Sequence, residues 1–194
     1  NDGKGHFVDR GVEAGVAYDF DGQGQASMGV DFADVNRDGW LDLAVSNFSH
    51  DHFTLYINQS GKTRNASFQD MSNAYNVTRP SFLRLQWGNR LFDFDSDGNL
   101  DLFVACGHVY GEIDNFQKAT GSSYRQRCLL LRGVGPPTNA FENVGDLKEG
   151  ENAADPAVLA KHGGPAMQLM RVWRGAAFAD FDNDGDLDIF VSAL

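Results

Sequence analysis

Three stretches of the chain place oxygen-bearing side chains at alternate positions: FADVNRDGWLDLAV (32–45), LFDFDSDGNLDLFV (91–104) and FADFDNDGDLDIFV (178–191). Counted from the first acid, positions one, three, five and nine are Asp34, Asn36, Asp38 and Asp42; Asp93, Asp95, Asp97 and Asp101; Asp180, Asp182, Asp184 and Asp188. So many like charges in a tight turn repel one another unless a cation stands between them. Calcium takes six to eight oxygen ligands from carboxylates, backbone carbonyls and water, and one short loop of this kind supplies them. In each loop a glycine at position six (Gly39, Gly98, Gly185) offers the positive φ that folds the chain back. A single such stretch is equally well a solvated acidic turn. Three in the same frame are not.

The frame extends beyond the acids. A glycine stands five residues before the first aspartate each time (Gly29, Gly88, Gly175), a leucine precedes the ninth-position aspartate (Leu41, Leu100, Leu187), and a valine follows it by three (Val45, Val104, Val191). That self-similarity marks a repeat architecture. An EF-hand would need a glutamate at position twelve and a helix on each side; position twelve here is valine. In the second and third copies the flanks alternate apolar and polar residues before the loop and run β-prone after it, as in LDLFVAC. The loop therefore joins two antiparallel strands. Positions one, three and five are each expected to give a side-chain oxygen. Position seven (Trp40, Asn99, Asp186) gives its backbone carbonyl, with the Asp186 side chain outward, and the ninth-position aspartate closes the site in bidentate fashion.

Two further strands follow each of the first two hairpins: FTLYINQ (53–59) and SFQDMS (67–72), then RCLLLRG (127–133) and AFENVG (140–145). Four antiparallel strands per repeat of about 60 residues make a propeller blade. The fold class is all-β, a β-propeller segment incomplete at both ends. Residues 1–24 are expected to hold the last turn and outer strand of a preceding blade, 25–73 a blade, 84–146 a blade with an insertion at 107–126, 147–170 an inter-blade insertion, and 171–194 the first half of a further blade.

The hairpins resemble the FG-GAP/VCBS repeats of calcium-dependent propellers, among them integrin α chains. More narrowly, GHVYGEIDNF, SYRQRCLLLRGVG, FENVG and RGAAFADFDNDGDLDIFVSAL are similar to the region just before the ASPIC/UnbV module of the cartilage acidic protein 1-like family. The resemblance implies an extracellular or cell-surface protein (periplasmic or on the outer surface if bacterial). It further implies calcium at about three sites, a role in adhesion or matrix interaction, and no catalysis. The ASPIC/UnbV module is not among these residues, so nothing of its role is carried over. A carbohydrate-binding propeller, or an accessory segment of a secreted hydrolase or lyase, are the alternatives. The first would use exposed tryptophans (Trp40, Trp87, Trp173), the last two of which sit at strand starts where a structural role is expected.

Composition narrows the classes. A net charge of −11 argues against nucleic-acid binding, which needs a basic surface. The loops hold twelve of the aspartates, and three divalent ions would offset six of those charges. No apolar run approaches the roughly 20 residues of a membrane span. The chain lacks an initiating methionine and a leader pattern, so a segment of a longer protein is expected. With open blade edges it is expected to self-associate in isolation.

Cys106 and Cys128 fall on neighbouring strands of one blade and either face each other as a disulfide or stand as buried thiols. Four N-x-S/T sequons (Asn47, Asn58, Asn65, Asn76) suit a secreted eukaryotic chain, or arise by chance. The histidines (His6, His50, His52, His108, His162) are scattered, and no nucleophile, zinc or phosphate motif is present. His50, Asp51 and His52 read as an exposed loop after a strand. The long insertion with His108, Tyr110, Asp114 and Tyr124 is the expected surface for a protein, matrix or glycan partner, since function gathers on long loops held by a rigid scaffold.

Overall fold

The computed structural model describes residues 3–194 except residue 64. Two residues of the expected preceding blade, and one of the first full blade, therefore lie outside the described residues. The chain forms two four-stranded antiparallel sheets and a two-stranded hairpin. The first sheet is β1 (Gly29–Ala33), β2 (Asp42–Ser46), β3 (Thr54–Asn58) and β4 (Phe68–Asp70), hydrogen-bonded in that order. The second is β5 (Gln86–Phe92), β6 (Asp101–Cys106), β7 (Leu129–Gly133) and β8 (Phe141–Asn143), also in order. The hairpin is β9 (Trp173–Ala179) with β10 (Asp188–Ala193). This is a propeller segment of two blades and half of another. No helix among the described residues is long and apolar enough to cross a membrane.

Each acidic stretch is the turn of the hairpin that opens a sheet. The ninth-position aspartate pairs with the last residue of the preceding strand in all three: Ala33 with Asp42, Phe92 with Asp101, Ala179 with Asp188. Strand alternation then sends successive side chains to opposite faces. Leu102, Val104 and Cys106 of β6 meet Phe53, Leu55 and Ile57 of the first blade in one apolar cluster. Phe103 and Ala105 join Phe92, Cys128 and Leu130 in a second cluster, packed on Phe178, Ile189 and Val191 of the third hairpin. β6 is thereby buried at every residue, whereas β10, with a neighbour on one side only, has none.

The first strands of successive blades run side by side, and the motif glycines explain how closely. A Cβ on Gly29 would stand 2.4 Å from the Trp87 carbonyl oxygen, and one on Gly88 2.8 Å from the Ala176 nitrogen. Asp31 adds a polar link, accepting the Leu91 N–H at 2.8 Å.

One expectation is corrected and one alternative is decided. Residues 3–24 contain no strand; a helical turn at Gly11–Ala14 is followed by a segment laid on the outer part of the first blade. There Tyr56 Oη donates to the Tyr18 carbonyl and the Phe20 N–H to Asp70. These contacts are single bonds to side chains and not a backbone ladder, so the segment is held against the sheet without adding a strand to it. Of the two alternatives for the cysteines, the structure has the buried thiols: both are free. Val104 pairs with Leu129, so one step on Ala105 faces Cys128 and Cys106 is out of step with it. The two thiols point to opposite faces of the sheet, into different clusters.

The insertion after β6 forms a 3-10 turn at Gly111–Phe116 and a helical turn at Gln117–Thr120, and is held to the blade by Ser122 Oγ donating to the Leu83 carbonyl. The segment between the second sheet and the third hairpin carries a helix at Pro156–Lys161, capped by Asp155. The buried His162 pins it, with ring nitrogens 2.6 Å from the Val144 carbonyl and 2.8 Å from Glu151.

Candidate metal centres

The three loops share one hydrogen-bond ring. In the first, Asp34 accepts the N–H groups of Asp38 (3.0 Å) and Gly39 (2.8 Å), Asn36 accepts that of Asp38 (3.0 Å), and Asp38 accepts that of Trp40 (2.9 Å). Asp93, Asp95 and Asp97 repeat these bonds to Asp97, Gly98 and Asn99. Asp180, Asp182 and Asp184 repeat them to Asp184, Gly185 and Asp186. The backbone is left-handed at the sixth-position glycine, as the sequence requires, and also at position four: Arg37 (φ 61°), Ser96 (58°) and Asn183 (59°). Two left-handed residues in one short turn draw the alternate side chains onto its inner side.

The ninth-position residue has a second task. Asp42 accepts the Val35 N–H on one oxygen (2.9 Å) and the Asn58 N–H, at the end of β3, on the other (2.8 Å). Asp101 does the same with Phe94 (2.8 Å) and Gly133 (2.7 Å). Among the described residues Asp188 accepts only the Phe181 N–H, at 2.9 Å. Asp42 and Asp101 are fully buried, and burial, reinforced by neighbouring aspartates, pushes each carboxyl up to about 6 despite the amides that pull it down. Asp97, by contrast, is held below the usual carboxylate range by the Asn99 N–H.

The donor set fits a hard cation. Asp93, Asp95 and Asp101 bring one oxygen each to within 4.8 Å of one another, as do Asp180, Asp182 and Asp184. Asp97 and Asp188 stand outside those triads. The first loop has Asn36 where the others carry an acid, and its amide donates to Asp38 at 3.1 Å. A carboxylate oxygen that accepts one N–H keeps a further lone pair for an ion, so Asp42 and Asp101 can serve strand and cation together. At the seventh position Trp40, Asn99 and Asp186 are seen donating their N–H to the fifth residue; their carbonyls enter only as proposed ligands.

The other residues singled out by sequence fall differently. His52 is buried rather than exposed: its ring stacks on Phe20 at 4.7 Å and Nε2 lies 3.4 Å from Asp70. His50 stands edge-on to Phe82. In the long insertion Tyr110 is exposed, but His108 is buried, and Asp114 is occupied by the Tyr124 N–H at 2.7 Å. His108 also lies 3.1 Å from Ser49 Oγ, a buried serine–histidine pair that sequence reasoning missed because 59 residues separate them. Its Nδ1 accepts the Tyr110 N–H at 3.1 Å, so Nε2 carries the proton and donates to the hydroxyl. That polarity is the reverse of a base that activates a serine. Trp87 Nε1 donates to the Gly107 carbonyl and its ring lies under Arg174, while Trp40 remains partly exposed over Gly61. Asn47, first of the sequon asparagines, is fully buried and donates to Gln25, His52 and Thr54.

The chain builds blades opened by acidic hairpins, and its residues 34–104 match the family model of the FG-GAP-like repeat. Along nearly its whole length the chain is similar to cartilage acidic protein 1. It is 30% identical to the Mus musculus protein over 194 residues (99% of this chain, 24% of that protein) and 30% identical to the Homo sapiens protein over 194 residues (99% and 23%). The Xenopus tropicalis protein is 31% identical over 193 residues (99% and 24%). The resemblance read from the sequence is borne out. The chain spans about a quarter of the length of the curated relatives it matches.

Proposed function

We propose that this chain is a calcium-stabilised, non-catalytic propeller module that works outside the cell and presents its surface to protein or matrix partners. The observation that carries the reading is the hydrogen-bond ring repeated in three loops, two of them closed by a buried carboxylate. Ions would be held by Asp34, Asn36, Asp38 and Asp42 with the Trp40 carbonyl; by Asp93, Asp95, Asp97 and Asp101 with that of Asn99; and by Asp180, Asp182, Asp184 and Asp188 with that of Asp186. A bound cation supplies the counter-charge that Asp42 and Asp101 lack, and because it binds the folded state it adds to stability. The extracellular setting rests on the resemblance to cartilage acidic protein 1 and the FG-GAP repeat. The reversed polarity of the Ser49–His108 pair favours a binding module over an enzyme.

Thermal unfolding with calcium and with chelator tests this. Calcium at a hundred times its Kd adds about 2.7 kcal/mol per site, which raises Tm by several degrees in a domain of this size. An unchanged Tm together with no calorimetric binding heat rejects the reading.

A further inference from the structure

Arg37 is the fourth residue of the first acidic loop, between Asn36 and Asp38. Ser96 and Asn183, at the same position of the other loops and in the same left-handed conformation, are short. Arg37 reaches across to the second blade. Its Nη2 donates to the Gly98 carbonyl and, at 2.7 Å, to Asn99 Oδ1, the sixth and seventh positions of the second loop. No such link joins the Ser96 side chain to the third loop among the described residues.

We infer that Arg37 is a positioning residue that couples cation binding in the first loop to cation binding in the second. The inference rests on the calcium reading of the loops. A cation held by Asn36 and Asp38 fixes the backbone of the residue between them, and so the origin of the guanidinium. That group in turn fixes the peptide between Gly98 and Asn99, next to the carbonyl offered as the second loop's seventh-position ligand. Ordering that one ion has brought about need not be repeated for the other, which makes the coupling favourable, and linkage makes it reciprocal. The positive charge of Arg37 opposes both ions, but on an exposed loop this is screened and lowers affinity with or without a neighbour bound. The coupling therefore comes from position, not charge.

The probe is Tb³⁺ alone, on the full 194-residue chain, read by emission sensitised through tryptophan. Trp40 belongs to the first loop, whereas Trp87 stands six residues before Asp93 and Trp173 seven before Asp180, about 20 Å along their strands, so the signal reports the first loop. Asp95→Ala silences the second loop without touching the buried Asp101. Arg37→Asn removes the reach but keeps a residue at home in the left-handed conformation, the one the third loop uses. With Arg37 present, Asp95→Ala is expected to weaken Tb³⁺ binding at the first loop about five-fold; with Asn at 37 it is expected to leave it unchanged. An equal loss in both backgrounds, or no loss with Arg37 present, overturns the coupling while leaving the calcium reading intact. Absence of any Trp40-sensitised emission overturns the calcium reading, and the coupling with it.

Discussion

The Asp101 carboxylate accepts the Gly133 N–H at 2.7 Å, so the residue that closes the second acidic loop also fastens the third strand of its blade. Asp42 and Asn58 repeat the arrangement at 2.8 Å. Loss of this acceptor leaves a buried N–H facing an amide that cannot satisfy both donors. Asp101→Asn is expected to cost about 2–3 kcal/mol by urea unfolding, in chelator as well as in calcium. Asp95→Ala, whose carboxylate is exposed, is expected to cost well under that in chelator and to show its main loss only in calcium. Equal behaviour of the two variants would refute a separate strut role.

The motif glycines admit the neighbouring blade. Gly29→Ala and Gly88→Ala place a methyl carbon 2.4 Å and 2.8 Å from backbone atoms that cannot swing aside. Each is expected to destabilise by about 1–3 kcal/mol. Among the described residues Gly175→Ala meets only Ser192 Oγ, at 3.3 Å, and is expected to cost less. Denaturation midpoints of the three variants give the order directly.

Acid is expected to loosen the fold through Asp146 and Asp70. Burial pushes the Asp146 carboxyl up, but the Arg84 guanidinium and Asn143 more than offset it, and the carboxyl titrates below its ordinary value of 3.8. Asp70 is likewise raised by burial and lowered further by hydrogen bonds from His52, Ser72 and Phe20. A carboxyl depressed in the folded state contributes stability that is complete above its unfolded value and disappears as pH falls through the folded one. Asp146→Asn is therefore expected to lower stability at pH 7 and to flatten its dependence on pH below about 4. Urea midpoints from pH 3 to 7 are the measurement.

The thiols are expected to stay reduced and unreactive in the native chain. Burial pushes the Cys106 thiol up to about 12 and raises Cys128 as well, leaving almost no thiolate at neutral pH. A thiol reagent should modify neither residue until denaturant is added and then both. Intact mass should not change on reduction.

What could be read from the chain was short in range. The ligand frame spans nine residues, the hairpin strands alternate on either side of it, and the third and fourth strands announce themselves by apolar runs bounded by turns. Position four escaped notice because Arg, Ser and Asn share no side-chain pattern; their common left-handed backbone is visible only in the folded loop. His52 looked like part of a surface loop because nothing near it in sequence reveals Phe20 stacked above it and Asp70 beside it.

The repeats, their hairpins, the chemistry of their turns and hence the class of fold are legible along the chain, because each depends on residues a few positions apart. Which blade each strand face meets, why Cys106 and Cys128 look away from each other, why Gly29 and Gly88 have no room for a side chain, and that Arg37 belongs to two loops emerge on folding. Those are matters of register and of close approach between blades. A shift of one residue along a strand reverses them without altering the local pattern that defines the strand.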